Sequence, residues 1–292
     1  MNLRAIWQLL KETFQEWSDD KASRLAAALA YYTIFSIAPL LIIVIAIAGA
    51  VFGEDAARGE IVRQIEGFVG RDGAEFIEIA IKNASMPQVG TIASVISIVV
   101  LLLAATGLFV ELQDSLNTIW EVQPRPGRAI NNLIRKRFLS FLMVLGIGFL
   151  LLTSLVISAV LTAVTTYFTN LLPGTESIVQ LVNFLISFAI TTVLFGLIFK
   201  VLPDVKITWK DVLIGAAITS LLFSFGRFLL GQYIAISSFA SAYGAAGSLV
   251  VILAWVYYTA QILFFGAEFT QVYARRYGTG LRPTKNAIPV TK

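Results

Sequence analysis

Gln180, Asn183, Ser187 and Thr191 stand three, four and four residues apart, and Ser154, Ser158, Thr162 and Thr166 repeat at intervals of four. Residues four apart stay on one helix face, so each set is a polar stripe along an otherwise apolar segment. A short loop joins the two segments, which makes them antiparallel neighbours. Paired at equal depth, Thr166 meets Gln180, Thr162 meets Asn183, Ser158 meets Ser187 and Ser154 meets Thr191, with an index sum that holds at 345 to 346. Ser220, Ser224 and Arg227 add a third stripe at helical spacing. Two readings of the seam stand. In one, Ser and Thr bond their own helix carbonyls and small side chains let helices pack closely. In the other, the three segments line a wet cavity in which Arg227 attracts an anion or a lipid headgroup. Asn183 favours the second, because a buried amide has several hydrogen bonds to satisfy.

Other chemistry is narrowed by what is missing. The chain has no cysteine and no histidine. Disulfides, thiolate metal sites and cysteine nucleophiles are excluded, as are the usual zinc ligand and the usual general base. A nuclease without histidine would need clustered carboxylates holding metal ions. The adjacent acidic pairs are Asp19-Asp20 and Glu54-Asp55, and the topology derived below puts them on opposite sides of a membrane. We therefore expect no catalytic residue, no metal, no cofactor and no nucleic-acid partner. The carboxylates Glu111 and Glu268 lie within apolar segments, close to one membrane face by helical rise. Lys21, Arg24 or Arg137 are the partners expected for them.

The elements that must hold these stripes are membrane helices. Of the 292 residues 57% are apolar and 14% charged, against about 25% charged in a soluble domain, and mean hydropathy is +0.80. About 20 apolar residues make a span, and lipid admits only helices or closed barrels. Six segments qualify: 26–52, 91–113, 138–168, 178–199, 212–233 and 245–273. The expected fold is an all-α polytopic membrane protein with one membrane domain over 26–273. Of the 22 Lys and Arg, seventeen fall in the segments on the side of both termini, four in the loop after the first span, and Arg227 inside the fifth. Basic loops face the cytoplasm, so both termini are expected there. The net charge of +4 reads as those loops rather than as a nucleic-acid surface.

Residues 1–25 form an amphipathic cytoplasmic segment in which Ile6, Leu9, Leu10, Phe14 and Trp17 recur at helical spacing, as in a helix lying on a membrane surface. Between the first two spans, Ile61, Ile65 and Phe68, then Phe76, Ile77, Ala80 and Ile81, predict two short outer helices. Pro39 predicts a kink in the first span. The Gly-, Pro- and Lys/Arg-rich tail, 274–292, is expected to be disordered.

Two stretches carry a resemblance. One is AAALAYYTIFSIAPLL, Ala26 to Leu41, with Tyr31, Tyr32 and Pro39 at its core. The other is YGAAGSLVVILAWVYYTAQILFFGAEF, Tyr243 to Phe269, with Tyr243, Gly244, Gly247, Ser248, Gly266 and Glu268. In order, spacing and six-span setting the chain resembles the YihY/BrkB family of bacterial inner-membrane proteins, of UPF0761 type, some of which formerly carried the label ribonuclease BN. The resemblance covers about Phe14 to Tyr273. It implies a multi-pass inner-membrane protein with cytoplasmic ends, and a role among envelope integrity, serum resistance as a virulence factor, and lipid-related transport. Two functions follow as expectations. One is transport or translocation of a lipid or a small anion through the polar seam. The other is a non-transporting protein that organises envelope partners. The lipid bilayer is the partner common to both, and the oligomeric state is left open.

Overall fold

In the computed structural model of the chain, residues 3–84, 91–126, 138, 142–143, 146, 176–236, 247–278 and 280–290 are described. The protein is mostly helical. Helix α1 (Leu3–Asp19) is followed by α2 (Ala22–Phe52), α3 (Glu54–Ala84), α4 (Thr91–Ile119), α5 (Glu176–Val201), α6 (Trp209–Ile236) and α7 (Gly247–Tyr277). Four short strands, β1 (Val122–Pro124), β2 (Val205–Lys206), β3 (Arg282–Pro283) and β4 (Ala287–Pro289), lie in the loops and tail. Among the described residues five helices are long and apolar enough to cross a membrane: Ala22–Ala50, Val100–Ile119, Leu181–Val201, Trp209–Leu230 and Gly247–Tyr277. The third expected span, 138–168, lies outside the described residues except for Phe138, Leu142, Met143 and Gly146, which are helical.

Helix α7 is the centre. It packs against α1, α2, α3, α4 and α6, and Gly266 to Val272 are buried without interruption for nearly two turns. A helix surrounded in this way needs small residues where neighbours cross closely. Against α6 the device is reciprocal. A β-carbon added to Gly215 would come within 2.7 Å of Thr270 Cβ, and one added to Gly266 within 2.8 Å of Thr219 Cβ. Each threonine donates its hydroxyl back to the glycine one turn earlier in its own helix, Thr219 Oγ1 to Gly215 O at 2.7 Å and Thr270 Oγ1 to Gly266 O at 2.6 Å. The polar group is thus satisfied internally, and the threonine side chain fills the space the opposite glycine leaves.

A hydroxyl also joins α2 to α4. Ser36 Oγ donates to Ala104 O at 2.7 Å and accepts from Leu108 N–H at 3.2 Å, two groups that an α-helix normally pairs with each other. The side chain of Ser36 therefore inserts into the hydrogen-bond ladder of α4, opposite Gly107. Pro39 lies inside α2, which runs through it as one helix.

Gly53 (φ 89) ends α2, and its N–H reaches Gly49 O at 2.9 Å. Helix α3 begins at once, with Glu54 and Asp55 in its first turn, where negative charge suits the helix dipole. Gly70 (φ 76, ψ 176) breaks α3 into two helical pieces. Their apolar faces, Ile61 on one and Ile77 and Ile81 on the other, enter the same buried cluster as Val44, Phe109 and Ile252 of the bundle.

At the opposite end of the bundle, α1 lies across the last turns of α7. Leu9 packs with Phe269 and Val272, and Arg275 meets Glu12 and Glu16 at 3.0 and 2.6 Å while Arg276 meets Glu12 at 2.9 Å. Trp7 and Phe14 stay exposed, so the five apolar residues of the sequence stripe divide between a protein face and an outer face.

The tail corrects the expectation of disorder. Residues 280–290 are ordered, with β4 pairing antiparallel to β1 (Gln123 opposite Ile288) and β3 to β2 (Lys206 opposite Arg282). Composition suggested disorder because the segment cannot bury an apolar core of its own. Its backbone groups instead find partners in the loops after α4 and α5, 165 and 76 residues away in sequence (Gln123 to Ile288 and Lys206 to Arg282), as backbone donors and acceptors require.

The Gly–Thr interlock predicts the following. Gly215→Ala or Gly266→Ala should destabilise the fold by about 1–3 kcal/mol through overpacking, read as a lower midpoint of thermal unfolding in detergent. Thr270→Gly should restore part of the loss in Gly215→Ala and none in Gly266→Ala. Equal stability of wild type and Gly215→Ala would show that α6 and α7 are not in this register.

Candidate functional site

Helices α5 and α6 are antiparallel neighbours. They approach closely where a β-carbon on Gly196 would lie 3.8 Å from Ala216 Cβ, and Phe195 stacks edge-on to Phe223 with ring centroids 5.7 Å apart. Farther along, toward the start of α5 and the end of α6, they enclose a cavity of about 310 Å³. Among the described residues it is lined by Asn183, Phe184, Ser187, Phe188 and Thr191 of α5 and by Phe223, Ser224 and Arg227 of α6. The apolar sequence and 3.6-residue repeat of each helix group these positions, while the adjoining face of α6, with Gly215, Thr219 and Gly226, meets α7.

Five of the residues singled out in the sequence thus share one cavity: Asn183, Ser187, Thr191, Ser224 and Arg227. Ser220 is fully buried in α6, and its hydroxyl meets no hydrogen-bond partner. Gln180 lies near the start of α5. Ser154, Ser158, Thr162 and Thr166 fall outside the described residues, so the expected partner stripe of α5 is not on view. Among the described residues α5 meets α6, a pairing the hairpin arithmetic did not contain. The sequence reading also passed over Phe184, Phe188 and Phe223, because aromatic residues in a membrane segment carry no signal of their own.

The hydrogen bonds sort donors from acceptors. Thr191 Oγ1 donates to Ser187 O at 2.7 Å and Ser224 Oγ to Ser220 O at 2.8 Å. These two hydroxyls use their protons on helix carbonyls and offer only lone pairs to the cavity. Among the described residues the side chains of Asn183 and Ser187 make no hydrogen bond. The Asn183 amide and the Ser187 hydroxyl therefore offer donors to an incoming group, and the Arg227 guanidinium lines the cavity beside them. All three polar residues are exposed at the cavity's opening together with Phe184, while Phe188 and Phe223 are half-buried behind them. That arrangement can bind an acceptor-rich, negatively charged group.

Of the residues in the two familiar stretches, Tyr31 and Tyr32 are exposed on α2, edge to face at 5.9 Å. Pro39 is half-buried, Gly247 and Gly266 are buried, Ser248 is half-buried, and Tyr243 and Gly244 lie outside the described residues. Glu268 is fully buried. The ion pairs expected for Glu111 and Glu268 with Lys21 or Arg24 do not form. Lys21 and Arg24 sit exposed at the turn into α2, whereas Glu268 is enclosed within α7's buried stretch. Arg137 lies outside the described residues.

A second polar cluster was not foreseen. Asp204, in the turn after α5, receives Gln113 Nε2 at 3.4 Å and Asn117 Nδ2 at 3.3 Å on its carboxylate, and donates its own N–H to Asn117 Oδ1 at 2.8 Å. All three are buried. The carbonyl of Asp204 accepts from Thr284 N–H at 2.9 Å. The cluster ties α4, the α5–α6 connection and the tail together at one point. Among the described residues, no group of three or more His, Cys, Asp or Glu side chains could hold a metal ion.

A bundle of apolar helices with a polar cavity between two of them defines a multi-pass membrane protein. Residues 13–290 match the family described as Virulence factor BrkB, and the chain belongs to that family. It is similar to a UPF0761 membrane protein of Pseudomonas aeruginosa (strain LESB58), 29% identical over 262 residues, which is 85% of this chain and 58% of the relative. A UPF0761 membrane protein of Teredinibacter turnerae is 27% identical over 92% of this chain and 61% of its own length. One of Tolumonas auensis is 28% identical over 92% of this chain and 87% of its own. The chain thus spans about six-tenths of the length of the first of these relatives. No solved structure matches it.

The Asp204 cluster predicts that Asn117→Ala will free the tail. Limited proteolysis of the purified protein should cut between residues 280 and 290 several times faster than in wild type, while the helical core resists as before. Unchanged cleavage would show that strand pairing alone holds the tail.

Proposed function

We propose that this chain is a six-span protein of the bacterial inner membrane with both termini in the cytoplasm, and that it takes up an anionic group, free or on a lipid, for transport through the α5–α6 cavity. The observation that carries this reading is the convergence of Arg227, Asn183 and Ser187 on one mouth within an otherwise apolar bundle. A charged side chain at membrane depth costs several kcal/mol unless it serves a pathway or snorkels. Here the guanidinium stands beside two donors that meet no acceptor among the described residues, which is the composition of an anion site. The count of basic residues supports the orientation. By that orientation the cavity lies in the outer half of the membrane: Arg227 is about 13 Å from the end of α6 at ~1.5 Å per residue.

The absence of native cysteine makes the test direct. Single cysteines at Ser187 and Ser224, with Leu194 as an apolar control, are treated in intact cells with a maleimide that passes the outer membrane and not the inner one. Ser187→Cys and Ser224→Cys should react and Leu194→Cys should not. Added inorganic phosphate should slow the reaction, and Arg227→Gln should remove that protection. If neither serine site reacts, the cavity is dry, and the protein is better read as a non-transporting organiser of envelope partners.

A further inference from the structure

The α5–α6 cavity is only half polar, and that half-and-half composition names its ligand more closely. Resting on the anion-site reading above, we propose that the ligand is an amphiphile: a singly headed anion, such as a phosphate monoester or phosphodiester, carrying an apolar chain that enters from the side, out of the bilayer. The polar donors Asn183, Ser187 and Arg227 are at the mouth, and Phe184, Phe188 and Phe223 complete the lining. A site for a small hydrated anion has no use for three aromatic rings, because such an ion gains nothing from apolar contact and loses its water there. An alkyl chain gains about 0.8 kcal/mol for each methylene it buries.

The side entrance follows from the neighbours. Among the described helices α5 packs mainly on α6. Leu181 and Leu185 of α5 and Leu221 and Phe228 of α6, each more than half exposed, stand beside the lining residues on the same two helices. Apolar side chains exposed in this number mark a surface covered by something other than water, and on helices long enough to cross a membrane that covering is lipid tails. The cavity is therefore continuous with the hydrocarbon layer, and Arg227 supplies the charge that selects an anionic head. The threonine and serine hydroxyls whose protons are held by helix carbonyls present only acceptors, which steers the anion toward the Arg227–Asn183–Ser187 mouth and the chain toward the rings.

Three probes separate head from chain: octyl phosphate, inorganic phosphate and octanol. The full chain carrying Ser224→Cys is reconstituted in nanodiscs of phosphatidylcholine, and maleimide labelling is followed with each probe. Octyl phosphate should protect at a concentration about tenfold or more below that of inorganic phosphate, with octanol without effect in that range. Adding Arg227→Gln should remove protection by octyl phosphate. Adding Phe184→Ala and Phe188→Ala should bring octyl phosphate down to the level of inorganic phosphate while phosphate protection persists, which also shows that the variant is folded. Equal protection by inorganic and octyl phosphate would overturn the amphiphile and leave the anion site standing. Protection by octanol that survives Arg227→Gln would overturn it in favour of an uncharged ligand. No protection by any probe would overturn both this inference and the anion site beneath it.

Discussion

The enclosure of α7 over Gly266 to Val272 governs the rest of the architecture. Over those nearly two turns the helix has no face left for lipid or water, so each of these residues has to match a neighbour. Gly266 and Thr270 match Thr219 and Gly215 of α6. That close crossing turns one side of α6 permanently toward α7. The adjoining side of α6, with Ser224 and Arg227, is left for α5, with Phe223 set between Phe195 of α5 and Trp255 of α7, and this is where the cavity opens. The cavity follows from how tightly α6 is held against α7.

Polar groups in the bundle fall into three kinds. Thr219, Thr270, Thr191 and Ser224 hydrogen-bond within their own helices, which is the least costly way to place a hydroxyl among apolar neighbours. Ser36 and the Asn117–Asp204–Gln113 cluster bond between elements and so fix which elements meet. Asn183, Ser187 and Arg227 form the third kind, polar groups gathered at the lining of one cavity. The first two kinds hold the protein together, and the third is the one on which the proposed function rests.

Much of this could be read in the sequence, for reasons that differ from residue to residue. The spans were legible because lipid demands long apolar helices, and Ala22–Ala50 or Leu181–Val201 satisfies that demand without reference to anything else. The stripe Asn183, Ser187, Thr191 was legible because helical periodicity alone puts those residues on one face. Its neighbour was only one of two readings: the described structure sets the stripe beside Ser224 and Arg227 of α6, as the cavity reading had it, while the hairpin partners Ser154 to Thr166 lie outside the described residues. The tail was misjudged because composition reports on what a segment can bury by itself. Pairing of Gln123 with Ile288 depends on a loop that only the folded bundle brings within reach. Asp204 gave no signal, since its partners Asn117 and Gln113 are 87 and 91 residues distant.

The sequence by itself determined the medium, the helical class and the faces: hydropathy selects lipid, lipid requires backbone hydrogen bonds inside each segment, and a 3.6-residue repeat sorts side chains around each axis. These are local properties, complete within some 20 residues. Tertiary structure alone decided which faces meet. The Gly215–Thr270 and Gly266–Thr219 contacts, the insertion of Ser36 into α4 and the grouping of Arg227 with Asn183 each join residues from different helices, and the free energy that chooses among such pairings comes from close packing and polar satisfaction between surfaces. That energy exists only when both surfaces are present, so no window along the chain contains it.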